Sequence, residues 1–165
     1  MPNPTTPYVQ EIPLAIANGG TGATTDVSGN DIIQVQQATG TSDINQSSTS
    51  FGDMTDMSLS VVVATGDVVI IDFGCVVDYG GTNAGSPVFQ LLRDSTVLQT
   101  AQAYTGAAGR EVGVKFQYVD TPSAATYTYK IQWKSIGGGP EVNNCATEYH
   151  YRNLRAIKIL ARTVI

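Results

Sequence analysis

The rhythm of hydrophobic and polar positions changes near residue 49. Beyond that point short apolar or alternating runs return about every 10–15 residues, separated by Gly, Asn, Asp or Ser. Such spacing predicts strands near 49–54, 57–64, 67–78, 87–93, 96–104, 111–120, 125–135 and 153–162. Period-two alternation is cleanest in Val112–Val119, where Val112, Val114, Phe116 and Tyr118 share one face and Lys115 and Gln117 the other. In Tyr127–Lys134 the inward set is Tyr127, Tyr129, Ile131 and Trp133, opposed by Thr128, Lys130, Gln132 and Lys134. These two sets are the expected core. The run Asp67–Val77 is more uniformly apolar, as expected of a central strand covered on both faces. Thr65-Gly66, the stretch 79–85 and Ile136-Gly-Gly-Gly-Pro140 supply the breaks between strands. No segment carries a sustained helical stripe. Eight antiparallel strands in about 115 residues imply an all-β sandwich, with a jelly roll the expected way to manage its sheet edges.

Residues 1–48 read differently. Pro2, Pro4, Pro7 and Pro13 punctuate them, Gly19, Gly20 and Gly22 cluster within four positions, and a polar stretch, Thr41–Ser48, closes them. Only Asp31–Gln37 has the composition of a short strand. Alone, this stretch buries too little apolar surface to offset the entropy of ordering it. It is therefore read as an extended arm, 1–48, that orders against a partner, ahead of a β-domain, 49–165.

Composition narrows the functional classes. Of 165 residues, 42% are hydrophobic and only 14% charged, a low charge content for a free monomer. Residues 1–92 hold nine acids and no Lys or Arg; from Arg93 onward nine bases face five acids, and −9 with +4 gives the net −5. The acidic half repels nucleic acid, and the basic excess is too dilute for a phosphate-binding patch. Two readings fit the asymmetry: an acidic arm that docks on a basic protein surface, or solvated acidic loops. No apolar run approaches the length of a membrane span, and the N-terminus lacks the basic and apolar regions of a secretory signal, so no membrane insertion and cytoplasmic synthesis are expected. Cys75 and Cys145 have no metal-ligand spacing; burial as small hydrophobes is favoured over a bridge formed after release.

Candidate chemistry is sparse. The single histidine, His150, lies between Tyr149 and Tyr151, with Glu148 and Arg152 nearby. Strand alternation alone puts Glu148 and His150 on one face. No Gly-x-Ser-x-Gly elbow or His-Glu-x-x-His pair is present. Asp26–Asp31 echoes a calcium loop but lacks its alternating oxygen ligands and closing Glu, and reads as a turn. No catalytic residue, metal or cofactor is therefore expected. Tyr149, His150, Tyr151 and Arg152 are of the types favoured at interfaces and on sugars, and serve either as a recognition surface or as a contact between copies of the chain.

Two resemblances add to this reading. Asn18-Gly-Gly-Thr-Gly-Ala-Thr-Thr25, preceded by Pro13-Leu-x-Ile-Ala17, resembles a short segment that recurs in tail-fibre and related virion proteins of tailed bacteriophages. The match runs from Ile12 to Thr25. It implies anchoring or assembly through Ile12, Leu14, Ile16, Asn18, Gly19, Gly20 and Gly22. Over most of 49–160, Thr49-Ser-Phe-x-Asp-Met-x-x-Met57, Asp67–Ile71, Phe89–Asp94, Tyr127–Lys134 and Arg155–Leu160 are similar in order to the small tumour-necrosis-factor-like jelly rolls of phage fibre ends. That class implies a homotrimer. One departure is the long 138–151 stretch, where the family often has a tighter turn; it is a recognition element or an elaborated loop. Together these imply a non-enzymatic head fibre or decoration protein of a virion, made in a bacterial cytoplasm and held by other capsid or tail proteins. The rival is a receptor- or carbohydrate-binding tail-fibre tip using loops 79–86, 104–110 or 137–152 on a host surface glycan.

Overall fold

The computed structural model describes residues 33–79, 86–104, 111–136, 143–145 and 152–161. These residues form ten strands: β1 Ile33–Gly40, β2 Ile44–Gln46, β3 Gly52–Val63, β4 Val68–Tyr79, β5 Ser86–Arg93, β6 Thr96–Gln102, β7 Val112–Asp120, β8 Ala125–Ile136, β9 Asn143–Cys145 and β10 Arg152–Ile159. All pairings are antiparallel and make two sheets. In the six-stranded sheet β10 lies between β1 and β4, β7 also pairs with β4, and β9 joins β4 to β2; the four-stranded sheet runs β3-β8-β5-β6. The fold class is an all-β sandwich.

Alternation along each strand sends one set of side chains into the space between the sheets. Met57, Val61 and Val63 of β3 meet Val69, Ile71, Phe73 and Val77 of β4, Phe89 and Leu91 of β5, and Leu154 of β10. Phe73 anchors this layer, with its ring 5.7 Å from that of Phe89 and 5.1 Å from that of Phe116. Phe89 in turn stacks on Trp133 at 6.2 Å. The expected core set takes its place here: Val114, Phe116, Tyr129, Ile131 and Trp133 are buried, while Val112, Tyr118 and Tyr127 pack partly buried against the cluster. Cys75 is buried in β4.

Three expectations require correction. The boundary at 48/49 moves toward the N-terminus, because β1 pairs with β10 along its whole length, from Ile33↔Ile159 to Gly40↔Arg152. The short strand expected at Asp31–Gln37 is this one, but Gln34, Gln36 and Gln37 weaken the alternation that would have marked it as part of the sandwich. The strands expected at 49–54 and 57–64 are one strand, β3, interrupted by a bulge between Asp53 and Ser58. Met54 and Met57 both turn inward, and Asp56 reaches φ 64° between them. A left-handed residue is what such a bulge needs, and Asp tolerates it better than most. Finally, β4 is covered on one face only. Val69, Ile71, Phe73, Cys75 and Val77 are buried, whereas Val68, Ile70, Asp72, Gly74 and Val76 are half-buried, because among the described residues no layer packs on the far side.

The β3–β4 crossing is fixed by a tight turn. Gly66 has φ 88°, and a Cβ there would crowd Ala161. Asp67 then accepts from the Ala64 N–H at 2.9 Å and the Ala161 N–H at 3.1 Å, which ties the end of β10 to this turn. The Phe73→Ala variant is expected to lose about 3–5 kcal/mol, since the void between its two aromatic neighbours cannot collapse freely. Val62→Ala, on the solvent side, should stay within about 0.5 kcal/mol. Urea melts of the two variants check the contrast.

Candidate interaction face

The face of the larger sheet that looks away from the core follows directly from alternation and register. Val35 on β1 stands opposite Ile157 on β10, Ile157 opposite Ile70 on β4, and Ile70 opposite Val119 on β7. Val35 and Val119 are each 56% exposed. Single exposed hydrophobics are ordinary on a protein surface; a row continuous across four strands is not.

The adjoining row is polar and satisfied within itself. Gln37, Arg155, Asp72 and Gln117 stand in register. Arg155 Nη2 donates to Asp72 Oδ2 at 2.6 Å, and Gln117 Nε2 to Asp72 Oδ1 at 2.6 Å. Burial alone would raise the Asp72 carboxyl, but the bonds from Arg155 and Gln117 outweigh it and hold the group below its ordinary 3.8. The row is thus a clamped boundary beside the apolar one. Its arrangement supports contact with another protein surface, and nothing in it supports proton transfer. Among the described residues no three His, Cys, Asp or Glu side chains gather as a metal site, and no helix is long and apolar enough to cross a membrane.

Arg152, expected at a recognition surface or a contact between copies, has an internal role. It is 1% exposed at the start of β10. Its Nε donates to the Thr55 carbonyl at 3.0 Å, Nη1 to the Ser42 carbonyl at 2.5 Å, and Nη2 to Asp56 Oδ2 at 3.0 Å. Gly40 lies directly beneath it, and any Cβ there would overlap the guanidinium. The side chain therefore plugs the β3 bulge and the β1–β2 turn at once, with all three nitrogens committed. Tyr149, His150 and Tyr151 lie outside the described residues, as do Ile12, Leu14, Ile16, Asn18, Gly19, Gly20 and Gly22. The loops 79–86, 104–110 and 137–152 are described only at Tyr79, Ser86, Tyr104, 143–145 and Arg152.

The lopsided charge also finds an internal use that neither sequence reading foresaw. Asp53 pairs with Lys130 at 2.9 Å, Asp56 with Arg152 at 3.0 Å, Asp72 with Arg155 at 2.6 Å, and Asp67 with Lys158 at 3.7 Å. Each joins an acid of the first half to a base of the second. Hydrogen bonds from Gln132 and Lys130 hold the Asp53 carboxyl, like that of Asp72, below its ordinary value. A second buried cluster lies wholly within the later half. Arg93 Nη1 donates to both oxygens of Asp120 at 2.9 Å, and the Tyr129 hydroxyl donates to Asp120 Oδ2 at 2.7 Å. Burial, then this bond to a carboxylate, pushes the Tyr129 hydroxyl up and keeps it protonated.

No family model matches the chain, and no curated protein does. Among solved structures it is similar to one of infectious bursal disease virus Gx strain, at 17% identity and a TM-score of 0.49, covering 90% of this chain and 36% of that one. It is also similar to one of the Gt strain of the same virus, at 18% identity and a TM-score of 0.48, covering 90% and 38%. The chain thus spans well under half the length of these neighbours.

Arg152→Met should cost about 1–3 kcal/mol for each buried carbonyl left without its donor. Asp56→Asn, at a half-exposed partner, should cost under about 1 kcal/mol. Chemical denaturation of both variants checks the ranking. A carboxyl depressed on folding adds stability that is complete above the unfolded value of 3.8 and lost as pH falls through the lower folded value. Asp53→Asn/Asp72→Asn should accordingly be less stable than the parent at neutral pH and show a shallower loss below pH 3.8, read by urea melts taken across that range.

Proposed function

We propose that the chain is a non-enzymatic structural component of a tailed-bacteriophage virion, a short head fibre or decoration protein held through its N-terminal arm. The observation that carries this reading is the segment Ile12–Thr25, with its Asn18-Gly-Gly-Thr-Gly-Ala-Thr-Thr25 signature. The arm is shorter than the sequence pattern implies, because β1 begins at Ile33. Anchoring is thereby assigned to residues ahead of β1, and loops 137–152 are secondary.

A tumour-necrosis-factor-like jelly roll is the finer reading of the sandwich. Strand order β1-β10-β4-β7 against β3-β8-β5-β6 supports it, with β5–β6, among the described residues, the one pair of consecutive strands bonded to each other. A homotrimer is supported by the apolar row of Val35, Ile157, Ile70 and Val119, exposed at its two ends and half-buried between, whose covering by a neighbouring copy removes apolar area from water. Three tethered arms then bind a virion surface with an avidity that one arm lacks.

Deletion of residues 1–30 should abolish attachment to particles while leaving the sandwich folded, with melting temperature unchanged. Deletion of residues 1–48 should also lower the melting temperature, because it strips β1 from β10. Co-sedimentation with particles and thermal melts read the two effects separately. Decoration that survives the shorter deletion would overturn the anchoring role.

A further inference from the structure

The edge strands of the sandwich are not equally guarded against pairing with another chain. β3 is broken by its bulge and carries Asp53 and Asp56. β7 carries Lys115 and Asp120, and the β5–β6 ladder is interrupted between Leu91 and Leu92. Bulges and edge charges of this kind discourage strand addition. β1 has none of these devices. Its sequence, Ile33-Gln-Val-Gln-Gln-Ala-Thr-Gly40, holds no charge and no proline. Its register with β10 is unbroken over eight pairs, and among the described residues β10 is its one partner strand.

We infer that the outer edge of β1 pairs antiparallel with β1 of a second copy, making one continuous sheet across a two-fold axis. Charge selects this occupant. An isologous pair sets each side chain near its own copy, so a charged strand repels itself, whereas an uncharged one does not. The other uncharged edge strands are the three-residue β2 and β6, whose ladder with β5 is interrupted, so β1 is the long unbroken one. Geometry agrees. A contact centred near Val35 places the two exposed Val35 side chains together and carries the row Val119–Ile70–Ile157–Val35 on into that of the second copy. Main-chain hydrogen bonds supply the remaining attraction, as in strand addition generally. Pairing through the edge leaves the outer face open, so the contact joins one proposed homotrimer to another, and it depends on no part of the virion assignment.

Gln36 tests this, because it is exposed on β1 and its replacement leaves the core untouched. Full-length Gln36→Lys and Gln36→Glu should each have half the mass of the parent by sedimentation equilibrium, with unchanged melting temperature. An equimolar mixture of the two should restore the parental mass, since the introduced Lys of one copy then lies diagonally across the axis from the introduced Glu of the other, each opposite Gln34. A residual mass of three chains in the single variants keeps the trimer reading; a residual mass of one removes that reading and leaves the β1 contact standing. Equal mass for the parent, both variants and the mixture would overturn the proposal and assign the β1 edge to a different strand.

Discussion

The last strand closes the molecule, and it does so with charge. β10 sits between β1 and β4 and presents Arg152 and Lys158 inward at its two ends. Neither cation is tolerable there unless its nitrogens are satisfied, because desolvating an ion costs several kcal/mol. Arg152 meets two carbonyls and Asp56 on residues 96 to 110 positions away, and Lys158 donates to the Val62 carbonyl at 2.8 Å near Asp67. The bulge in β3, the glycine at position 40 and the turn at Gly66 are all arranged around these two side chains. The first half of the chain thus holds acids and open carbonyls that only the end of the chain completes. Contacts so distant in sequence make folding slow relative to a local fold of the same size.

The same strand links the interior to the candidate face. Arg155, one position out of phase with Arg152 and Lys158, points outward and holds Asp72 on β4. This fixes the polar row beside which Val35, Ile157, Ile70 and Val119 form the apolar one. A face with Arg155 and Asp72 paired and its apolar residues in one row suits contact with protein. It offers no free acid–base pair. That chemistry, together with a sequence signature ahead of β1, underlies the proposed role as a structural component of a particle.

Much of the sandwich was readable from alternation. Val112–Val119 and Tyr127–Lys134 declare their inward faces because Lys115 and Gln117 in the first, and Lys130, Gln132 and Lys134 in the second, occupy outward positions. Register was not readable, and the most informative features depend on it. The apolar row exists only because four separately unremarkable residues come into line across strands distant in sequence. β1 was legible only as a short strand at Asp31–Gln37, and its place in the sheet was not, because glutamine is neither apolar nor a breaker. Arg152 was misassigned because it follows Tyr149-His150-Tyr151, neighbours that suggest a surface. Its partner signal, a glycine at position 40 opposite it, appears only once β1 and β10 are paired. The charge asymmetry pointed outward to a partner for a similar reason, since sequence alone does not show that the two halves interleave.

The most direct test of the structural role is to look for the protein on intact particles. On the proposed role, gold-labelled antibody raised against the sandwich, applied to purified virus particles from the source of this chain, should decorate the heads at regular positions in electron micrographs. Label at the tail tip would transfer the protein to the fibre, and particles free of label would contradict a place in the virion altogether.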